Sequence, residues 1–118
     1  MNRKIAVYGS LKKDRYNHPL LSGQMFLGET VVSGTLYSMG SYPALVEEGN
    51  TIYPAEMYQV DENVYGMIRG MELGAGYVER EVECTHLNDG TVHTCIVYYA
   101  GESLSERCKK TRPQIEEY

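Results

Sequence analysis

The chain has no tryptophan, one phenylalanine, four prolines and three cysteines in 118 residues. An odd number of cysteines does not make a disulfide framework, and the thiols read as reduced, with the cytoplasm as the default compartment. Long apolar runs are also missing. Nothing approaches the roughly 20 residues that a spanning helix needs. Near the start only Ile5, Ala6 and Val7 follow two basic residues, too short a run for a secretory segment. Positive charge is scarce: 11 Lys and Arg against 16 Asp and Glu leave a net charge of −5. Nucleic acids and anionic membranes recruit basic surfaces, so neither is expected as a partner. Linkers, repeats and low-complexity stretches are absent, and the length suits one domain over residues 1–118 with a real core.

Tyrosine is what the chain has in surplus, with 11 copies. Each buried hydroxyl wants a hydrogen-bond partner, so the surplus fits either a polar cavity or ordinary half-buried strands. The pattern along the chain is mostly that of strands. Arg3 to Tyr8 reads as a short buried strand ended by Gly9-Ser10. Met25 to Tyr37 reads as one or two bent strands, with Gly28 and Gly34 marking bulges. Pro43 to Val46 and Ile52 to Val60 flank a turn cluster at Glu47-Glu48-Gly49-Asn50 and read as a hairpin. Tyr77 to Leu87 and Val92 to Tyr99 flank Asp89-Gly90, a hairpin signal.

One segment has a helical period. Asp61 suits an N-cap, Glu62 the first turn, and Val64, Ile68 and Met71 are spaced four and three apart, with Gly74 able to end the helix. Ser103 to Lys110 reads as a second short, charged helix, followed by a loose tail from about residue 111. The expected fold class is α+β: a small mixed or antiparallel β-barrel of about five to seven strands with a central helix packed against it.

Several pieces of the sequence resemble the gamma-glutamylcyclotransferase-like family. Val7-Tyr8-Gly9-Ser10-Leu11 is similar to its Tyr-Gly-Ser-Leu signature, and Asn17-His18-Pro19-Leu20-Leu21 to the segment that follows. Gly40-Ser41-Tyr42-Pro43-Ala44-Leu45 resembles its Gly-x-Tyr-Pro-Ala loop, and Glu56-Met57-Tyr58-Gln59-Val60 the strand before its central helix. Glu72 followed by Tyr77-Val78-Glu79-Arg80 is similar to its glutamate and Tyr-x-x-Arg. Order and spacing hold from about Ile5 to Tyr99. Two positions depart from the pattern: Ile68-Arg69 stands where the family commonly has Leu-Asp, and Ala55 where it often has Gly.

The resemblance implies intramolecular acyl transfer. The α-amine of a gamma-glutamyl amine or peptide attacks its own γ-carbonyl, giving 5-oxoproline and a free amine; the gamma-glutamylamine type is the nearest form. Both reacting groups already share one molecule, so connectivity removes much of the entropic barrier. Such an enzyme needs no cofactor, metal or nucleophilic side chain. It needs one carboxyl to cycle protons and donors for the developing oxyanion.

By this resemblance Glu72 is the acid/base, and the substrate-binding positions are Tyr8, Gly9, Ser10, Leu11, Tyr42 and Tyr77. The small-molecule gamma-glutamyl substrate is the expected partner. The leaving amine and the oligomeric state stay open. A non-catalytic binding module on the same fold is the alternative reading. Arg69, three residues before Glu72, would lower the glutamate's pKa if the two side chains met, or would point to solvent. Arg80 reads as a cross-strand ion pair. Finally, a two-residue turn at Asp89-Gly90 would set His86 opposite His93 and Cys84 opposite Cys95. That is a zinc-like ligand set, but Val82 and Val97 continue the same face. The ladder therefore reads as core with free thiols and no metal.

Overall fold

The computed structural model describes residues 3–116 and Tyr118. Five strands and two helices form an α+β fold: β1 (Arg3–Val7), β2 (Met25–Ser38), β3 (Pro43–Val60), α1 (Glu62–Gly74), β4 (Tyr77–Thr85), β5 (Val92–Ala100) and α2 (Glu102–Thr111). A single 3-10 turn at His18–Leu21 lies between β1 and β2. The sheet order is β2-β3-β1-β5-β4. Central β1 is antiparallel to β3 and parallel to β5, which makes the sheet mixed. No helix among the described residues is long and apolar enough to cross a membrane.

Alternation along β1 divides the core. Ile5 and Val7 join the cluster that packs under the helices, with Tyr65 and Ile68 of α1 and Leu104 and Cys108 of α2. Ala6 and Tyr8 join the cluster inside the curl of the sheet, with Val32, Leu45, Met57 and Val97. The curl brings the two edge strands together. The Leu87 N–H donates to the Glu29 carbonyl at 2.9 Å, and the buried Thr30 hydroxyl donates to the Thr85 carbonyl at 2.8 Å. These two separate hydrogen bonds form a seam that bridges the edges of a curled five-strand mixed sheet, with no ladder between β2 and β4 among the described residues.

The glycines of β2 mark bulges as expected. The register with β3 shifts between Phe26 and Gly28 and again between Gly34 and Thr35. The region beyond them corrects the expected hairpin. Pro43 to Val46 and Ile52 to Val60 do not pair with each other; both pair with β2 as one long strand. Val46 pairs with Thr35 and Thr51 with Gly34, so residues 47–50 bulge out between adjacent rungs. Gly49 has φ +96°, and the Thr35 hydroxyl donates to the Glu48 carbonyl at 2.7 Å. A turn-rich cluster looks the same in sequence whether the chain reverses there or merely loops out.

The β4–β5 register is also two residues from expectation. Cys84 pairs with His93 and Val82 with Cys95. The loop spans four residues, Leu87 to Gly90, because the Asp89 carboxylate accepts from both the Thr91 N–H and the Thr91 hydroxyl, and Gly90 takes φ +75°. Cys84, Cys95 and Cys108 are buried free thiols. Cys84 and Cys95 share a face but sit diagonally, and the two histidines part: His86 turns to β2 and His93 meets Lys4 at 3.1 Å.

Helix α1 follows the sequence pattern closely. Asp61 caps it, accepting from the Val64 N–H at 2.9 Å. Tyr65 and Ile68 face the core, while Met71 lies at the edge. The segment expected to be a loose tail lies along β2: the Ser38 N–H donates to the Pro113 carbonyl at 2.9 Å, and the Ile115 N–H to the Leu36 carbonyl at 2.9 Å.

The seam generates a prediction. Gly28 has φ +144°, and a Cβ there would overlap the His86 ring. Gly28→Ala should therefore destabilise the fold by about 2 kcal/mol or more, read as a fall in the urea midpoint. The cost should be smaller when measured in a His86→Ala background. An unchanged midpoint for Gly28→Ala would show that the seam does not need this close approach.

Candidate active site

A cavity of about 590 Å³ opens between the turn after β1, the loop before β3, the end of α1 and strands β4 and β5. All seven residues singled out from the sequence line it: Tyr8, Gly9, Ser10, Leu11, Tyr42, Glu72 and Tyr77. Residues 64 positions apart in the chain thus share one wall.

Glu72 sits in the last turn of α1, half-buried. Burial raises its carboxyl pKa from 4.5 to about 7. Its position near the negative end of the helix dipole acts in the same direction. No hydrogen bond to this carboxyl is found among the described residues. Its charge is felt by three surrounding phenols: Tyr8 beyond β1, Tyr77 on β4 and Tyr98 on β5. All three are pushed up, first by burial, so they stay neutral hydrogen-bonding groups.

The turn at 8–11 presents backbone. Among the described residues, no acceptor is found for the N–H groups of Gly9, Ser10 and Leu11, while the Gly9 and Ser10 carbonyls are used by Lys12 and Asn17. Two neighbours clip the turn in place. The Asn17 side-chain amide donates to the Ser10 hydroxyl at 2.8 Å, and His18 Nδ1 lies 2.9 Å from the Leu11 carbonyl. The Gly9 position is tight: a Cβ would come within 2.8 Å of Pro43 Cγ. Glycine here lets the turn pack against the loop on the opposite side of the cavity.

The tyrosines are walls more than donors. The Tyr8 hydroxyl donates to the Tyr98 carbonyl at 2.6 Å and accepts from the Leu45 N–H at 3.3 Å. The Tyr77 hydroxyl donates to the Pro43 carbonyl at 2.7 Å. Tyr42 is half-buried at the cavity edge. The cavity also takes in Asn17 and Tyr98, to which the sequence reading gave no role in the site. Tyr98 is visible in sequence only as one more strand tyrosine. Asn17 lay within a recognised segment, and its spacing from Ser10 was the one available signal.

The departure at Arg69 has a clear outcome. Its guanidinium Nε lies 3.1 Å from Glu79 Oε1, so the cation is engaged on β4. Glu79 Oε2 accepts from the Tyr65 hydroxyl at 2.6 Å and from Tyr98 at 2.9 Å. Arg80 pairs with Glu47 at 3.2 Å on the exposed surface, away from the cavity.

Since the folded chain holds a proton on Glu72 up to about pH 7 and the unfolded chain only to about 4.5, folding takes up a proton between those values. Stability should fall as pH rises through that window, and the full cost of the buried charge is present above it. Glu72→Gln removes this cost. The variant should be more stable than the parent at pH 8, on the order of 2 kcal/mol, with the gap closing by pH 5. Urea denaturation at the two pH values measures it, and an equal gap at both would contradict a desolvated carboxyl.

The geometry agrees with what comparison with known proteins finds. The profile of the family described as gamma-glutamyl cyclotransferase, AIG2-like, matches residues 5–118. A protein of Pyrococcus horikoshii, provisionally named gamma-glutamylcyclotransferase, is 36% identical over 74 residues, a stretch covering 63% of this chain and 63% of that protein. The sequence match therefore spans less than two thirds of that relative's length. The crystal structure of a Pyrococcus horikoshii protein superposes with a TM-score of 0.70 at 29% identity, covering 97% of this chain and 86% of the other. A mouse AIG2-like protein shares the fold with a TM-score of 0.79 at 22% identity, over 99% of this chain and 88% of the other. The chain belongs to the gamma-glutamyl cyclotransferase, AIG2-like family.

Proposed function

We propose that the protein converts a gamma-glutamyl amine into 5-oxoproline and the free amine, with Glu72 as the single acid/base. The observation that carries this reading is one juxtaposition. A carboxyl whose pKa burial raises to about 7 shares a cavity with a turn whose Gly9, Ser10 and Leu11 amides find no acceptor among the described residues.

The chemistry turns on a carboxyl that first takes a proton and then returns one. Glu72 in its ionised form takes a proton from the substrate's α-ammonium. The freed amine attacks the γ-carbonyl carbon, a C–N bond forms, and a five-membered ring closes with negative charge on the former carbonyl oxygen. The turn's N–H groups are oriented donors for that oxyanion or for the substrate's α-carboxylate. Protonated Glu72 then gives its proton to the departing nitrogen as the second C–N bond breaks, and the extra proton left on the ring nitrogen passes to the released amine, which leaves as an ammonium. A carboxyl titrating near 7 suits both halves, since it is a stronger base than an ordinary glutamate and a competent acid afterwards. Tyr8, Tyr42 and Tyr77 enclose the glutamyl part, and the cavity's open side receives the leaving amine. The phenols are neutral and Glu79 engages Arg69, so no ion pair with the Glu72 carboxyl is found among the described residues.

Release of 5-oxoproline from a panel of gamma-glutamyl amines tests the reading. Glu72→Gln keeps the shape but cannot accept the proton, and turnover should fall by about 10²–10⁴-fold while ligand binding persists. For the parent, kcat/KM should rise with pH through about 7, because only ionised Glu72 starts the reaction. Wild-type turnover in Glu72→Gln would refute the mechanism. Binding without turnover by the parent would support the binding-module alternative.

The turn is tested separately. Gly9→Val places a branched side chain against Pro43. It should weaken turnover strongly while the chain still folds, as followed by circular dichroism. Normal activity would remove the turn from the mechanism.

A further inference from the structure

We propose that Glu79 is a positioning residue: it anchors the Arg69 guanidinium on strand β4 and so keeps that cation off Glu72. Residues three apart on a helix are neighbours on its surface, so Arg69 is within reach of Glu72 by its place in the chain. The fold directs it elsewhere. Glu79 receives three donors from two different elements, Tyr65 and Arg69 of α1 and Tyr98 of β5, at 2.6, 3.1 and 2.9 Å. Both carboxylate oxygens are occupied, and the side chain is 25% exposed. Burial alone would push the Glu79 carboxyl up, but these three hydrogen bonds and the Arg69 charge hold it below its ordinary value. It therefore stays ionised across the range in which Glu72 titrates, and Arg69 stays paired with it.

Among the described residues, the groups whose titration feels the Glu72 charge are Tyr8 beyond β1, Tyr77 on β4 and Tyr98 on β5, all pushed up and therefore neutral at neutral pH. The loop before β3 brings Ser41 and Tyr42 to the cavity, and Pro43 at the start of β3 joins them. On the helix that carries Glu72, Arg69 is the cation within reach of it by position, so its placement bears on how Glu72 titrates. An opposite charge within about 4–6 Å would lower a carboxyl by about 1–3 units, making it a weaker base. The consequence for catalysis rests on Glu72 being the acid/base; the placement of the cation does not.

The test follows the Glu72 carboxyl directly by carbon-13 NMR pH titration, its resonance assigned by loss in Glu72→Gln. This readout needs no turnover. In the parent the midpoint should lie near 7. In Glu79→Gln, which keeps an acceptor for the two phenols but loses the ion pair, it should fall by at least about one unit as Arg69 turns to Glu72. Arg69→Met added to Glu79→Gln should restore it. A merely structural loss at Glu79 would not be repaired by deleting a second partner. The rising limb of kcat/KM for 5-oxoproline release should move in the same order.

An unmoved midpoint in Glu79→Gln, or a lowered one that Arg69→Met does not restore, overturns the proposal. Arg69→Met alone supplies a check that does not depend on Glu79→Gln folding. Its midpoint should stay near 7, and a rise of a unit or more would mean that Arg69 already acts on Glu72 in the parent, which also overturns the proposal. If the NMR midpoints move as expected while no gamma-glutamyl amine releases 5-oxoproline, the positioning role stands and the enzymatic reading falls.

Discussion

The site depends on one carboxyl held out of water. Glu72 is one of 13 glutamates, and as an isolated group it would titrate where the others do. What distinguishes it is the wall built around it by residues from β1, β4, β5 and the loop before β3. Removing water disfavours the charged form, and the neighbours that replace the water are phenols committed to backbone carbonyls or to Glu79. They supply little to stabilise a charge. The raised pKa is therefore a property of the assembled cavity and not of any single contact.

The same assembly explains why the turn at 8–11 is rigid without being self-contained. Among the described residues its Gly9, Ser10 and Leu11 amides find no acceptor, so the backbone is held by other contacts. Asn17 and His18 hold it from one side, and Pro43 packs on Gly9 from the other. Pro43 is in turn held through its carbonyl by Tyr77. The turn, the loop and β4 form a closed set of contacts, so a change at any one of them moves the cavity wall. The network around Glu79 plays a comparable part for the helix that carries Glu72, tying α1 to β4 and β5. In the sequence Glu79 stands only as an inner position of Tyr77-Val78-Glu79-Arg80; its three donors make it a junction.

Much of this was legible in the chain itself, for identifiable reasons. The Asp61 cap and the four-and-three spacing of Val64, Ile68 and Met71 are local signals, and α1 lies where they put it. The bulges at Gly28 and Gly34 were legible because glycine inside a strand pattern marks an irregular rung. The residues that line the cavity were picked out through a family resemblance, which stands in for tertiary information that spacing does not carry. From local pattern alone, Glu72 reads as a solvated carboxylate near a helix end.

The tertiary structure decided what depends on partners distant in sequence. Residues 47–50 mark a break in the strand in either case; only the presence of β2 as a shared partner made β3 one strand and not a hairpin. Asp89-Gly90 marks a reversal, but the hydrogen bonds of Asp89 to Thr91 chose a four-residue loop and shifted the register by two. Arg69 could face Glu72 or turn away, and its place in α1 allows both. Glu79, brought alongside by the return of the chain as β4, decided it. Local sequence determines which conformations a segment favours, whereas pairing register, burial and the choice among equally reachable charge partners are set by groups that meet only when the sheet has assembled.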